Sequence, residues 1–284
     1  MWHNINPIVI REVRGRMRSP RAFWLLAGFL SAVASTMLLV YTASDLSSSN
    51  RATASSETGN TVFLTLIGTA MLVLLVLTTI LAASSIAGER ERQTFDLLLT
   101  SQLSAGAIVI GKICATMAYG GLLLSAMTPL IAIPLLIGGV DTTELFIMYA
   151  VLLAHMGAVT CCGVYWSSRA SSPLMAIGLS LSCVFGVLFG IPILAFTVPT
   201  IWQSLFTSTN ILEFLGYFVL PVHPIATLIL TSSAISEQAV WLTPASFMSS
   251  TLQLPAMWIV SIIESWLISL ACIAGAMRRL WPTR

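Results

Sequence analysis

The sequence predicts an all-α, polytopic membrane protein of six transmembrane helices, with an N-terminal interfacial helix and outer capping helices before the last span. Three observations predict it. First, 57% of the 284 residues are hydrophobic and only 8% are charged, against about 45–50% and about 25% in soluble domains. So few charges cannot cover so much apolar surface, which excludes a soluble enzyme. A disordered chain would have too little apolar content rather than too much. Second, the mean hydropathy of +0.92 comes from six long runs rich in Leu and Ala. They are continuous rather than alternating, so strands are not expected. Third, every Lys and Arg except Arg51 falls on one side of those runs. The chain reads as one membrane domain over 1–284.

The first element is an amphipathic helix over 4–21. Ile5, Ile8, Val9, Val13 and Met17 share one face at 3.6 residues per turn, with Arg11, Arg14, Arg18 and Arg21 opposite. Arg16 is the exception, projecting onto the apolar side. Pro7 suits the first turn after Asn6 as cap. Such a helix lies in the membrane surface with its arginines towards phosphates or a protein partner. Topology alone would also account for the positive charge.

A membrane helix needs roughly 20 mostly apolar residues, and six segments qualify: 22–42, 61–87, 113–137, 145–166, 173–201 and 255–277. The first is expected to be retained, because its basic flank is too long for a cleaved signal. Residues 43–60 are rich in Ser and Thr and read as a flexible, solvated outer connection. Residues 202–254 contain the apolar runs 211–220 and 225–230, interrupted by Pro221, His223, Pro224 and Pro244. These runs are too short to span and are expected to form re-entrant or capping helices. An eight-span arrangement would place Glu213 and Pro221 near the membrane.

The basic residues before the first span, with Arg90, Arg92, Lys112, Arg169, Arg278, Arg279 and Arg284, mark the cytoplasmic side. Both termini are therefore expected inside, in a plasma or inner membrane. Trp24, Tyr41, Trp166, Trp202, Trp258 and Trp281 flank the spans as interfacial anchors. The net charge of +2 has this sidedness and implies no nucleic-acid role.

The five cysteines fall within predicted spans, odd in number and without ligand spacing, so they read as packing residues rather than a disulfide or metal set. In the fifth span Gly178, Ser182, Gly186 and Gly190 recur every four residues, with a weaker counterpart in Ala27, Ser31 and Ser35. Such smooth faces let helices approach closely, within one chain or between two copies. Two ionisable side chains lie inside the bilayer, Glu264 near the middle of the sixth span and His155 in the fourth. A carboxylate there costs roughly 2–3.5 kcal/mol, so Glu264 should face a cavity or partner or carry a proton. The two are candidates for a substrate or proton path, or for buried packing.

The informative polar stretch joins the second and third spans. Gly88 can close one helix, Thr94 can cap a short helix carrying Phe95, Leu98 and Leu99 with Asp96 in its first turn, and Ser101 or Ser104 can start the next. The product is a short amphipathic helix held beneath the membrane by two spans, preceded by Glu89, Arg90, Glu91 and Arg92. That shape suits docking of another protein. Residues 106–112 also match the GxxxxGK of a phosphate loop. Ile113 stands where Ser or Thr should hold Mg²⁺ and no strand precedes it, so the match is fortuitous. The chain has no nucleotide site of its own.

Asn6-Pro7, then Arg11-Glu12 and a basic run, resembles the start of the membrane subunits of type-2 exporter ABC transporters. Gly88-Glu89-Arg90-Glu91-Arg92-Gln93-Thr94-Phe95-Asp96-Leu97-Leu98 resembles their coupling-helix segment, and Ile110-Gly111-Lys112 its end. The family often has Gly where Gln93 stands and Pro where Gln102 stands. The resemblance implies a half-transporter that pairs with a second permease chain, often through the first and fifth spans, and docks a separate ATPase subunit. ATP and Mg²⁺ would bind that subunit, and this chain would hold no cofactor, metal or catalytic residue. Docking would fall to Glu89, Arg90, Glu91, Arg92, Thr94, Phe95, Asp96, Leu98 and Leu99 over 88–104, helped by Arg11, Glu12, Arg14 and Arg18. Two other functions are weighed beside it. A membrane anchor or sensor would recruit a cytosolic partner without transport. An intramembrane enzyme would need a converging catalytic set, and His3, His155 and His223 are scattered.

Overall fold

The computed structural model describes residues 7–18, 20–47, 51–93, 104–205, 216–247 and 250–280. It is helical throughout apart from one small hairpin. The helices are α1 (Pro7–Met17), α2 (Pro20–Ser47), α3 (Arg51–Glu91), α4 (Ala105–Ile137), α5 (Thr142–Arg169), α6 (Pro173–Phe185), α7 (Ile191–Leu205), α8 (Pro224–Ser236) and α9 (Met257–Leu280). A π-helical turn, Gly186–Gly190, joins α6 to α7. Six stretches are long and apolar enough to cross a membrane: Ala22–Ser44, Ser56–Glu91, Ala105–Ile137, Thr142–Arg169, Pro173–Val198 and Met257–Leu280. The α1 side of the bundle holds the C-terminal ends of α3, α5 and α9. The opposite, hairpin side holds the 3₁₀ turn Leu220–Val222, α8 and the strands.

Local chemistry sets several helix starts. The Ser104 hydroxyl accepts from the Ala107 N–H and opens α4, and the Ser172 hydroxyl accepts from Met175 N–H ahead of Pro173 at the start of α6. Both satisfy donors that lack a partner in the first helical turn. Pro129 and Pro134 lie inside α4, as spanning helices tolerate.

Packing centres on α5, which lies against α3, α4, α6, α8 and α9. The main core draws Phe29 and Val33 from α2, Phe63, Leu66 and Leu74 from α3, Met127 from α4 and Met148 and Val151 from α5. Gly163 permits a close crossing of α5 over α3. A Cβ there would stand 2.7 Å from Ala82 Cβ and 3.1 Å from the Ala83 nitrogen and the Thr79 oxygen. In the absence of a hydrophobic force between helices in lipid, such backbone proximity is what binds them.

Three expectations change. Of the expected outer connection, residues 43–47 and 51–60 are helical, because α2 reaches Ser47 and α3 starts at Arg51. Thr61 donates back to the Glu57 carbonyl at 2.8 Å. The turn Gly138–Gly139, with φ of 99° and 91°, closes onto Ser56 and Gly59 so tightly that side chains there would collide. At 1.5 Å per residue α3, with 41 residues, runs about 60 Å, twice the roughly 30 Å hydrocarbon thickness. Second, Gly178, Ser182, Gly186 and Gly190 do not share one α-helical stripe, because the last two bound the π-helical turn. Third, capping helices fill only part of 202–254. Gly216–Val222 and α8 meet at 113°, where Pro221 and Pro224 remove backbone donors. Beyond them the chain forms an antiparallel hairpin, β1 (Leu242–Phe247) with β2 (Ser250–Pro255), in which Leu242 faces Pro255 and Phe247 faces Ser250.

Candidate functional site

Two polar sites stand out in this apolar bundle. The first closes the α1 side. Lys112 lies two turns into α4, and its side chain is 1% exposed. Its ammonium donates to Glu12 Oε1 of α1 at 2.5 Å and to Glu89 Oε1 of α3 at 2.6 Å. Arg11 lies 3.9 Å from Glu89, so among the described residues two cations meet two carboxylates. A buried ammonium is tolerable only with such partners.

The Arg90 guanidinium, one residue on, donates to the Ala170 carbonyl at 3.1 Å and the Ser168 carbonyl at 3.4 Å. These are terminal carbonyls of α5, where a helix lacks internal donors and favours a cation. The Ser167 hydroxyl accepts from the Ile86 and Ala87 N–H groups at 3.0 and 2.9 Å. Glu89, Arg90 and Lys112 thus tie the ends of α1, α3, α4 and α5 into one clamp. The extra length of α3 is what carries Glu89 and Arg90 there.

The chain leaves the clamp through Gln93 at φ 57°, a left-handed conformation that costs an L-residue roughly 1–2 kcal/mol and glycine little. Gln93 N–H donates to the Arg90 carbonyl at 3.1 Å. This is the position where glycine is often found in the family resembled above, and the backbone supplies the reason. Thr94, Phe95, Asp96, Leu98 and Leu99 lie outside the described residues. Glu91 and Arg92 are exposed at the end of α3. On α1 the expected set divides: Arg11, Arg14 and Arg18 are exposed around a shallow groove with Ile10 and Gly15, while Glu12 turns inward to Lys112. Lys112 reads from sequence only as a topology marker. The available signal was its place among apolar residues at the start of a span.

The second site is a partly open cavity of about 170 Å³ lined by residues of α3, α5, α6, the π-helical turn, α8 and α9. His155 from α5 and Glu264 from α9 both line it, so the structure brings the two intramembrane candidates together. Glu264 lies about 10 Å from the Met257 end of α9 and about 7 Å from the helix midpoint, on its hairpin side, at 1.5 Å per residue. His155 is 6% exposed. Its Nδ1 stands 3.1 Å from the Val151 carbonyl, which can only accept, so this nitrogen carries a proton. In the neutral ring Nε2 is then an acceptor. The Pro221 and Val222 carbonyls and the His223 ring lie close by, yet Nε2 has no hydrogen-bond partner, nor has Glu264 Oε2.

His223, unassigned by sequence reasoning, secures one wall. Its Nδ1 accepts from the Ala226 N–H at 3.0 Å and caps α8. Its Nε2 must then carry the proton and donates to the Leu188 carbonyl at 3.1 Å, inside the π-helical turn. Thr227 Oγ1 donates to the Pro221 carbonyl at 2.9 Å. Cys162 and Cys183 also line the cavity. All five cysteines are free, and among the described residues no three His, Cys, Asp or Glu side chains are grouped to hold a metal.

Long apolar helices around a packed core, with a charged clamp at one end and a polar-lined cavity nearer the other, define a multi-pass membrane protein. The family model described as ABC-2 family transporter protein matches residues 6–274. The chain belongs to that family, whose members are membrane components of ABC transporters and normally work with an ATPase subunit. No curated protein matches the chain.

Proposed function

We propose that this chain is the membrane half of an ATP-driven exporter, in which ATP hydrolysis on a separate subunit moves the helices and opens a path outward. The observation that supports this most is the clamp. Lys112 joins α1 to α3 and α4, and Arg90 joins α3 to α5, a few positions before residues 94–103 in the chain. Force applied by a partner to α1 or to that segment would reach four helices at once, as a rigid lever requires. Glu89, Arg90, Glu91, Arg92, Thr94, Phe95, Asp96, Leu98 and Leu99 form the docking segment in this reading, with Arg11, Arg14 and Arg18 as flanking contacts.

The ATPase subunit holds ATP and Mg²⁺. A second permease chain, the same or different, pairs along the open side of α6, where nothing approaches Gly178, Gly186 or Gly190 and the span over Pro173–Val198 is only 6% buried. The bilayer is a plasma or inner membrane, and the α1 side faces the cytoplasm by the positive-inside rule.

The test is copurification of the tagged chain with its ATPase, followed by ATP-dependent transport in proteoliposomes. Glu91→Ala with Phe95→Ala should lower recovery of the ATPase several-fold while membrane insertion is unchanged. Full recovery would refute the docking role. Recovery of a soluble partner that hydrolyses no nucleotide would favour an anchor or sensor instead.

A further inference from the structure

We infer that the cavity between α5 and α9 binds the protonated-amine end of an apolar molecule, with Glu264 and His155 as its acceptors. The inference rests on the transport reading only in treating this ligand as cargo.

The argument starts from the unused hydrogen-bonding groups. Glu264 Oε2 and His155 Nε2 are both buried and unpartnered. The Val151 carbonyl fixes the proton on Nδ1, so Nε2 presents a lone pair. The Val222 carbonyl approaches the same ring, and Val222 lines the cavity, which adds one more acceptor dipole. Among the described residues no Lys or Arg lines the cavity, and the remaining lining is mainly apolar, including Leu75, Val159, Val184 and Ile268. The site is therefore rich in acceptors and poor in donors, in a medium where unmet acceptors are costly.

A ligand that satisfies it must bring donors, and a cation suits a carboxylate best. A carboxylate or phosphate would meet only repulsion. The volume adds a second restriction. A cavity of 150 Å³ holds a benzene ring, so about 170 Å³ accepts one ring or a short alkyl segment beside the ammonium. The chemical class is thus an aryl- or alkylammonium, alone or as the end of a longer amphiphile.

The purified full chain in lipid nanodiscs should be titrated at pH 7 with phenethylammonium, 2-phenylethanol and phenylacetate. The Glu264→Gln chain serves as control against partition into lipid. Phenethylammonium should bind saturably and at least about tenfold more tightly than the other two, as one charge-assisted hydrogen bond implies. Glu264→Gln should remove that preference. Val187→Phe, which fills the cavity from its wall, should abolish binding of phenethylammonium while the chain remains monodisperse. No saturable binding, equal binding of all three probes, or an unchanged preference in Glu264→Gln would each overturn the inference. Binding is read without the ATPase. Failure here alongside normal ATPase association therefore counts against the amine site alone, whereas loss of that association counts against the transport reading.

Discussion

The two ends of the bundle treat their few polar side chains in opposite ways. On the α1 side Lys112, Glu12, Glu89 and Arg90 are partnered with one another and with helix-end carbonyls. Towards the hairpin side His155 Nε2 and Glu264 Oε2 are buried without partners. Satisfied buried networks fix relative positions, whereas unsatisfied acceptors are a standing cost that folding alone does not explain. The clamp is therefore architecture and the cavity is chemistry, and substitutions at the two sites should differ in sign.

The largest expected effect is at the clamp. Lys112→Met removes the ammonium that Glu12 and Glu89 share in a buried site and should lower stability by about 3–5 kcal/mol, measured by unfolding in detergent. Adding Glu12→Gln and Glu89→Gln should recover most of it. A Lys112→Met chain as stable as the parent would dissolve the contrast between the two ends. Next is Gly163→Val, which forces α3 and α5 apart at a backbone contact and should cost roughly 1–3 kcal/mol or prevent folding. The cavity should respond in the other direction. Glu264→Leu removes an unpartnered acceptor and should raise stability by about 0.5–2 kcal/mol, while abolishing transport. A loss as large as that at Lys112 would show that Glu264 is structural. The smallest effect is Gln93→Gly, which relieves the left-handed turn and should stabilise by about 1 kcal/mol, seen as a small rise in Tm.

Much of this was legible in the chain. The six spans were recoverable because length and apolarity within one window decide whether a helix can cross a bilayer. Ser104, offered beside Ser101, announced a helix start, since a cap acts within three residues. The α1 helix was visible from the alternation of Ile5, Ile8 and Val13 with arginines. The connection at 43–60 departs from the expected loop because a Ser side chain there can bond back to a helical carbonyl, as Ser44 does to Val40, and because Ser56 and Gly59 lie against the Gly138–Gly139 turn. The docking grouping of Glu12 with Arg11, Arg14 and Arg18 followed sequence adjacency. A helix separates neighbours by 100°, and Glu12 faces inward.

The sequence by itself determined the membrane class, the span count, the sidedness of charge and the positions of the costly residues. All are properties of a single segment facing lipid or water. Only the tertiary structure decided which of those residues meet. Lys112 finds Glu12 across 100 positions and Glu89 across 23, and His155 and Glu264 converge from α5 and α9 on one cavity. Such meetings depend on how each helix is rotated about its axis and how closely it approaches its neighbours. Small residues such as Gly163 and the break at Gly186–Gly190 set those quantities through contacts distant in the chain.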